Sequence, residues 1–205
     1  MIDLLVFIPA CFALNLAFGP NNLLSLTHGA ERGVPFALAA AMARLAAFVP
    51  MIAASALGLG VLMSTSALLF GVVKVAGALY LLWLGVKLLR TRPTVDARGQ
   101  GHVPASLRQA ARREGLAAVS NPKAILIFAA FFPQFVDTQA YWTSYATLGA
   151  LFLGLEACAI TIYALAGRFA ARFAARRMHW FQRASGGGMV LFGLLLLASR
   201  QPGQA

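Results

Sequence analysis

Apolar residues dominate this chain in long blocks, and the polar residues between them are confined to a few short stretches. A helix that crosses the hydrocarbon core of a bilayer needs about 20 mostly apolar residues. Six blocks are candidates, at about 2–27, 34–59, 66–89, 121–136, 141–166 and 186–199, the last one short. The longest polar stretch, 90–113, contains Pro93, Gly99, Gly101 and Pro104, and its first part reads as a loop. Its end, about 105–119, predicts a basic helix lying in the membrane interface.

The first and fourth blocks are the unusual ones. They contain NLAFGPNNLLSLTHGAERG and SNPKAILIFAAFFPQFV, apolar sequence interrupted by proline and dotted with side-chain amides. Pro20 cannot donate to the carbonyl of Leu16 and its ring crowds that oxygen. The carbonyl then needs a partner, and Asn15, Asn21 and Asn22 are at hand. A half-helix starting after Gly19 presents free amides and a positive dipole end suited to a carboxylate. In the fourth block Asn121 is a good N-cap, with Pro122 in the first helical position.

The two blocks also align with each other. Pro9 and Pro20 are spaced like Pro122 and Pro133, which sets Ala17-Phe18-Gly19-Pro20-Asn21 against Ala130-Phe131-Phe132-Pro133-Gln134. A fainter match joins KVAGALYLLWLG, from Lys74, to RASGGGMVLFG, from Arg183. A duplication of three spans must insert its second copy upside down. The expected fold is therefore an all-α integral membrane protein, a single transporter domain of six transmembrane helices. It forms an inverted 3+3 repeat with broken first and fourth helices, the halves at about 1–90 and 114–200 joined by a cytoplasmic loop at 91–113.

Composition agrees. The 205 residues are 60% hydrophobic and only 11% charged, with a mean hydropathy of +0.76, whereas soluble domains carry about 25% charged residues. The net charge of +11 does not call for nucleic acid, because basic residues flanking apolar spans are the positive-inside signal. Arg32, then Arg90, Arg92, Arg98, Arg108, Arg112 and Arg113, then Arg168, Arg172, Arg176, Arg177 and Arg183 fall on one side. That side is expected to be cytoplasmic, with both termini periplasmic. Cys11 and Cys158 lie in apolar blocks and read as inert thiols. His28, His102 and His179 fall in or beside the basic loops and are too scattered for a metal site. The chain holds no HExxH, phosphate-loop lysine or GxSxG pattern. Neither an ATP-driven pump nor an enzyme is expected, and no cofactor.

Two charges fall inside the blocks. Arg44 lies about ten residues into the second, and Glu156 about ten residues before the end of the fifth, so both reach a depth of roughly 15 Å. Intramembrane charges pair or line wet cavities, and these two are expected to face each other. They are either a structural pair or a substrate site, Arg44 gripping a carboxylate and Glu156 taking an amino group or a proton. Lys74 and Lys123, near span ends, are explained by snorkelling.

At these residues the chain resembles the LysE/RhtB family of bacterial amino-acid exporters over nearly its whole length. The resemblance rests on GPNNLLSLTHGAERG, KVAGALYLLWLGVKLLR and NPKAILIFAAFFPQFV in that order. It implies a carrier in the bacterial inner membrane that exports an amino-acid-like small molecule, driven by the proton gradient without ATP. Homo-oligomerisation is left open. The motif positions it implies are Gly19, Pro20, Lys74, Gly77, Tyr80, Leu84, Gly85, Asn121, Pro122, Lys123, Pro133 and Gln134. Substrate-binding or gating roles fall to Asn15, Gly19, Pro20, Asn21, Asn22, Arg44, Asn121, Pro122, Pro133, Gln134 and Glu156. One departure is AAAMAR at 39–44, where the family pattern is glycine-spaced and ends in a small or acidic residue. A cation there is expected to disfavour basic amino acids and to suit neutral or acidic ones. The alternative function is export of another small solute or a metal cation by a related six-helix carrier.

Overall fold

A computed structural model describes residues 3–65 and 106–173, together with scattered positions between 71 and 90 and between 183 and 197. Among the described residues the secondary structure is helical: α1 (Leu4–Leu16), α2 (Pro20–Arg32), α3 (Val34–Thr65), α4 (Leu107–Val119), α5 (Pro122–Leu126) and α6 (Tyr141–Phe173), with short π and 3-10 turns between α5 and α6. Val34–Gly58 within α3, and Thr138–Phe169, a 3-10 turn continued by α6, are long and apolar enough to cross a membrane. Two bent helix pairs reach the same length and apolar composition when each is counted as one broken span. α1 and α2 meet at 64°, and α4 meets Pro122–Phe135 at 47°.

The first break follows directly from the residues. α1 ends at Leu16, Gly19 is extended at φ −166°, and Pro20 takes the first position of α2, where no amide donor is required. The second is built the same way: Asn121 caps through its side chain, accepting from the Lys123 amide at 3.0 Å, and Pro122 opens α5. Further on, Pro133 cannot donate to Ala129. The backbone before it widens into a π turn at Ile127–Phe131 and then tightens into a 3-10 turn at Phe132–Phe135. The carbonyl of Phe128 is taken by the Ser55 hydroxyl.

The prolines that the spacing aligned play different parts. Pro20 and Pro122 each open a helix after a break, whereas Pro9 lies inside continuous α1 and Pro133 inside the 3-10 turn. The helix expected at 105–119 forms at Leu107–Val119. It packs along α3, with Gly115 against Ala43, and buries Ala110, Glu114 and Ala118. These three recur every fourth residue and share one face, and α4 together with Pro122–Phe135 has the length and apolar composition of one bent span.

Two surfaces hold the helices in place. α2 crosses α6 with backbones almost touching: a Cβ on Gly29 would sit 2.2 Å from the Ala164 carbonyl oxygen, and one on Gly167 would sit 1.9 Å from that of Leu26. Such crossings use glycine because lipid offers no hydrophobic drive, and close packing must supply the attraction. On the other side of the breaks Phe7, Phe48, Phe128, Phe131, Phe132 and Phe152 interlock, with ring centroids 4.9 Å apart for Phe128–Phe152 and 5.3 Å for Phe7–Phe131. Exposed Arg32, Arg108, Arg112, Arg113 and Arg168 gather at the α2 and α4 end, while Asp3 and Asp137 share a cavity at the other. The third and sixth blocks fall mostly outside the described residues, although Gly193 is seen to lie against Leu82 and Ala78.

Candidate functional site

The breaks touch each other. Asn121 Nδ2 donates to Asn21 Oδ1 at 3.0 Å, joining the first residues after the first break to the cap of the second. Four carbonyls at the first break, those of Leu14, Asn15, Leu16 and Ala17, have side-chain partners. Asn22 Nδ2 donates to the oxygens of Asn15 (2.8 Å) and Ala17 (2.9 Å). Lys123 Nζ donates to those of Leu14 (3.1 Å) and Ala17 (3.0 Å). The Leu16 carbonyl, expected to find an asparagine, instead accepts from the Tyr163 hydroxyl of α6 at 2.6 Å. Tyr163→Phe removes this bond between α6 and the end of α1, and a stability loss of about 0.5–1.5 kcal/mol is expected, measurable as a lower midpoint of thermal unfolding in detergent.

Behind the breaks lies a buried ionic hub. Arg44 and Glu156 meet, as their matching depths predicted: Nη1 donates to Oε1 at 2.9 Å and to Asn22 Oδ1 at 3.3 Å. The guanidinium also holds Glu114, through Nε at 2.9 Å and Nη2 at 2.7 Å. Nη2 additionally reaches the Asn21 carbonyl and the Ser25 hydroxyl, both at 2.6 Å. A guanidinium has five N–H donors, and all are engaged. Arg44 and Glu114 are fully buried, and Glu156 is nearly so. One cation thus ties α2, α3, α4 and α6 together.

Sequence reasoning misses Glu114 and misplaces His28 and Lys123. Glu114 was submerged in a run of arginines; the signal for it was its place between Ala110 and Ala118 on one helix face. His28 is not a loop residue but is buried, with Nδ1 3.5 Å from Glu114 Oε1. Lys123 does not snorkel. It is 8% exposed at the start of α5, and its ammonium turns inward to cap α1.

Between the breaks is a cavity lined by Asn15, Gly19, Asn21, Asn22, Asn121, Lys123 and Glu156, with apolar walls from Phe48, Ala124, Ile127 and Phe152. Its volume is about 10 Å³, room for about one water molecule. The conformation is closed, and anything larger enters only if the two broken helices part. Glu156 Oε2 accepts no hydrogen bond among the described residues, so the carboxylate keeps one oxygen for the cavity. Arg44 does not reach this wall. Pro20 and Pro122 frame the cavity as helix starts. Pro133 and Gln134 lie elsewhere, Gln134 beside Asp3 and Asp137 in an open cavity of about 370 Å³. Lys74, Gly77, Tyr80, Leu84 and Gly85 lie outside the described residues. Among the described residues, no cluster of His, Cys, Asp and Glu could hold a metal ion.

Broken helices meeting around a buried polar cavity, within a chain of apolar spans, define a multi-pass helical membrane protein of the translocator kind. The family model for LysE type translocators matches residues 12–200, and the chain belongs to that family. It is 35% identical over 182 residues to a leucine efflux protein of Klebsiella pneumoniae subsp. pneumoniae, covering 86% of this chain and 84% of the relative. To a homoserine/homoserine lactone efflux protein of Salmonella typhimurium it is 33% identical, with the same coverage. An uncharacterized membrane protein of Vibrio cholerae is 32% identical over 156 residues, 75% of each chain. No solved structure gives a significant match.

Proposed function

We propose that this protein is a secondary carrier that exports an amino acid or a close derivative across the bacterial inner membrane, with the proton gradient as its energy source. The observation that carries the reading is the cavity between the two breaks, where the carboxylate of Glu156 faces backbone and side-chain amides inside apolar walls. The printed activities of the relatives, leucine efflux and homoserine or homoserine lactone efflux, support the substrate class. The two halves are taken as an inverted repeat that rocks about this cavity. The arginine-rich end is placed in the cytoplasm by the positive-inside rule.

Glu156 gives the carrier a way to exchange substrate for protons. Its cavity-facing oxygen receives either a substrate ammonium or a proton, and one excludes the other. A carrier that crosses with one or the other moves them in opposite directions, so an inward proton gradient drives outward export. Glu156→Gln keeps the hydrogen bond from Arg44 but removes the negative charge. Amino-acid accumulation driven by an imposed pH gradient in proteoliposomes is expected to fall about tenfold or more, the factor for one lost charge-assisted contact. Accumulation with the same pH dependence as the parent would show that this residue binds neither ammonium nor proton.

A further inference from the structure

Among the described residues that line the cavity, one cation appears, and it is not the arginine that the sequence brings forward. Lys123 lines the cavity, while Arg44 has all five donors committed behind it. An ammonium has three protons. Lys123 Nζ gives two hydrogen bonds, to the carbonyls of Leu14 and Ala17, which leaves a third for whatever occupies the space beside it. A Cβ on Gly19 would lie in van der Waals contact with Nζ at 3.9 Å, so the break runs directly beside the ammonium. The α2 N-terminus lines the same wall through Asn21 and Asn22, adding its positive dipole end.

We infer that Lys123 is the residue that binds the substrate's carboxylate, opposite Glu156 at the ammonium, and that the carrier selects zwitterions with an uncharged apolar or small side chain. This rests on the exporter reading above. It follows from charge balance. Arg44 and Lys123 offset Glu114 and Glu156, so the hub and cavity together are neutral when His28 is neutral. A zwitterion adds no net charge to that balance, whereas a basic amino acid or an α-amide adds one positive charge in a low-dielectric site. The side chain meets Phe48, Ile127 and Phe152, which offer no partner for a second charge.

The test is a comparison of leucine with leucinamide, which keeps the ammonium and side chain but lacks the carboxylate. Purified protein in liposomes is assayed for competition by each compound against export of radiolabelled leucine. The parent is expected to prefer leucine by about tenfold or more, as suits one charge-assisted contact. Lys123→Gln, which can still donate to an α1 carbonyl, is expected to bring the two within about twofold by weakening leucine alone. Lys123→Arg is expected to restore most of the preference, guarding against a mere folding defect. A Lys123→Gln carrier that loses both compounds equally, keeping the parent's ratio, makes Lys123 a helix cap only and overturns the assignment while export stands. Parent vesicles that export no leucine or other amino acid overturn the exporter reading itself, and this assignment with it.

Discussion

Arg44→Met is expected to cost about 3–5 kcal/mol of stability, enough to unfold much of the protein in mild detergent where the parent survives. The methionine fills much of the arginine's volume, so packing is not the reason. Glu114 loses two charge-assisted bonds and Glu156 one. Two carboxylates then remain buried, without the guanidinium that held them. Removing one partner of a buried ionic cluster is far more damaging than removing all of it. The triple change Arg44→Met with Glu114→Gln and Glu156→Gln is therefore expected to recover most of the loss. Size-exclusion chromatography after a temperature ramp reads both results. Equal stability of all three proteins would mean that the hub contributes nothing to folding.

The second large effect is steric. Gly167→Ala would put a methyl carbon 1.9 Å from the Leu26 oxygen and 2.9 Å from the Ala30 nitrogen, all backbone atoms that no rotamer change can move. α2 and α6 must separate, and a loss of about 1–3 kcal/mol or more is expected, the range for overpacking a tight interior. Gly29→Ala, facing the Ala164 carbonyl at 2.2 Å, should behave alike. Gly154→Ala is the control on the same helix, because nothing lies within 4 Å of its added carbon. Thermal midpoints that rank the three substitutions equally would contradict this packing.

The sequence made some of this site readable and hid the rest, for physical reasons. Arg44 and Glu156 could be paired because helical rise converts residue number into depth, and a lone charge in an apolar run demands a partner. The broken helices could be found because proline and asparagine are conspicuous in apolar sequence. Their alignment could not be fixed from proline spacing, since a proline inside a helix and one at its start are the same letter. Only the caps, Gly19 and Asn121, tell them apart. Glu114 and Lys123 were obscured for a single reason. With the fourth span begun at Asn121, Glu114 fell outside the membrane and Lys123 at its edge. Taking α4 and Pro122–Phe135 as one bent span moves both inward at once. Tyr163 carried no signal at all, because a tyrosine in an apolar span reads as packing until the acceptor it serves is known.

The ionic hub also imposes an order on the making of the protein. Arg44 leaves the ribosome long before Glu114 and Glu156, so α3 enters the bilayer with a guanidinium that has no counter-charge. At its position well inside the helix that costs about 2.5–3.5 kcal/mol on insertion scales, which the alanine, phenylalanine and methionine around it must outweigh. Balance comes only when α4 and then α6 arrive and close on the arginine. A ribosome halted after the third block would thus hold an intermediate with one exposed cation in the membrane, and the fourth and fifth blocks would complete the first half as much as they build the second.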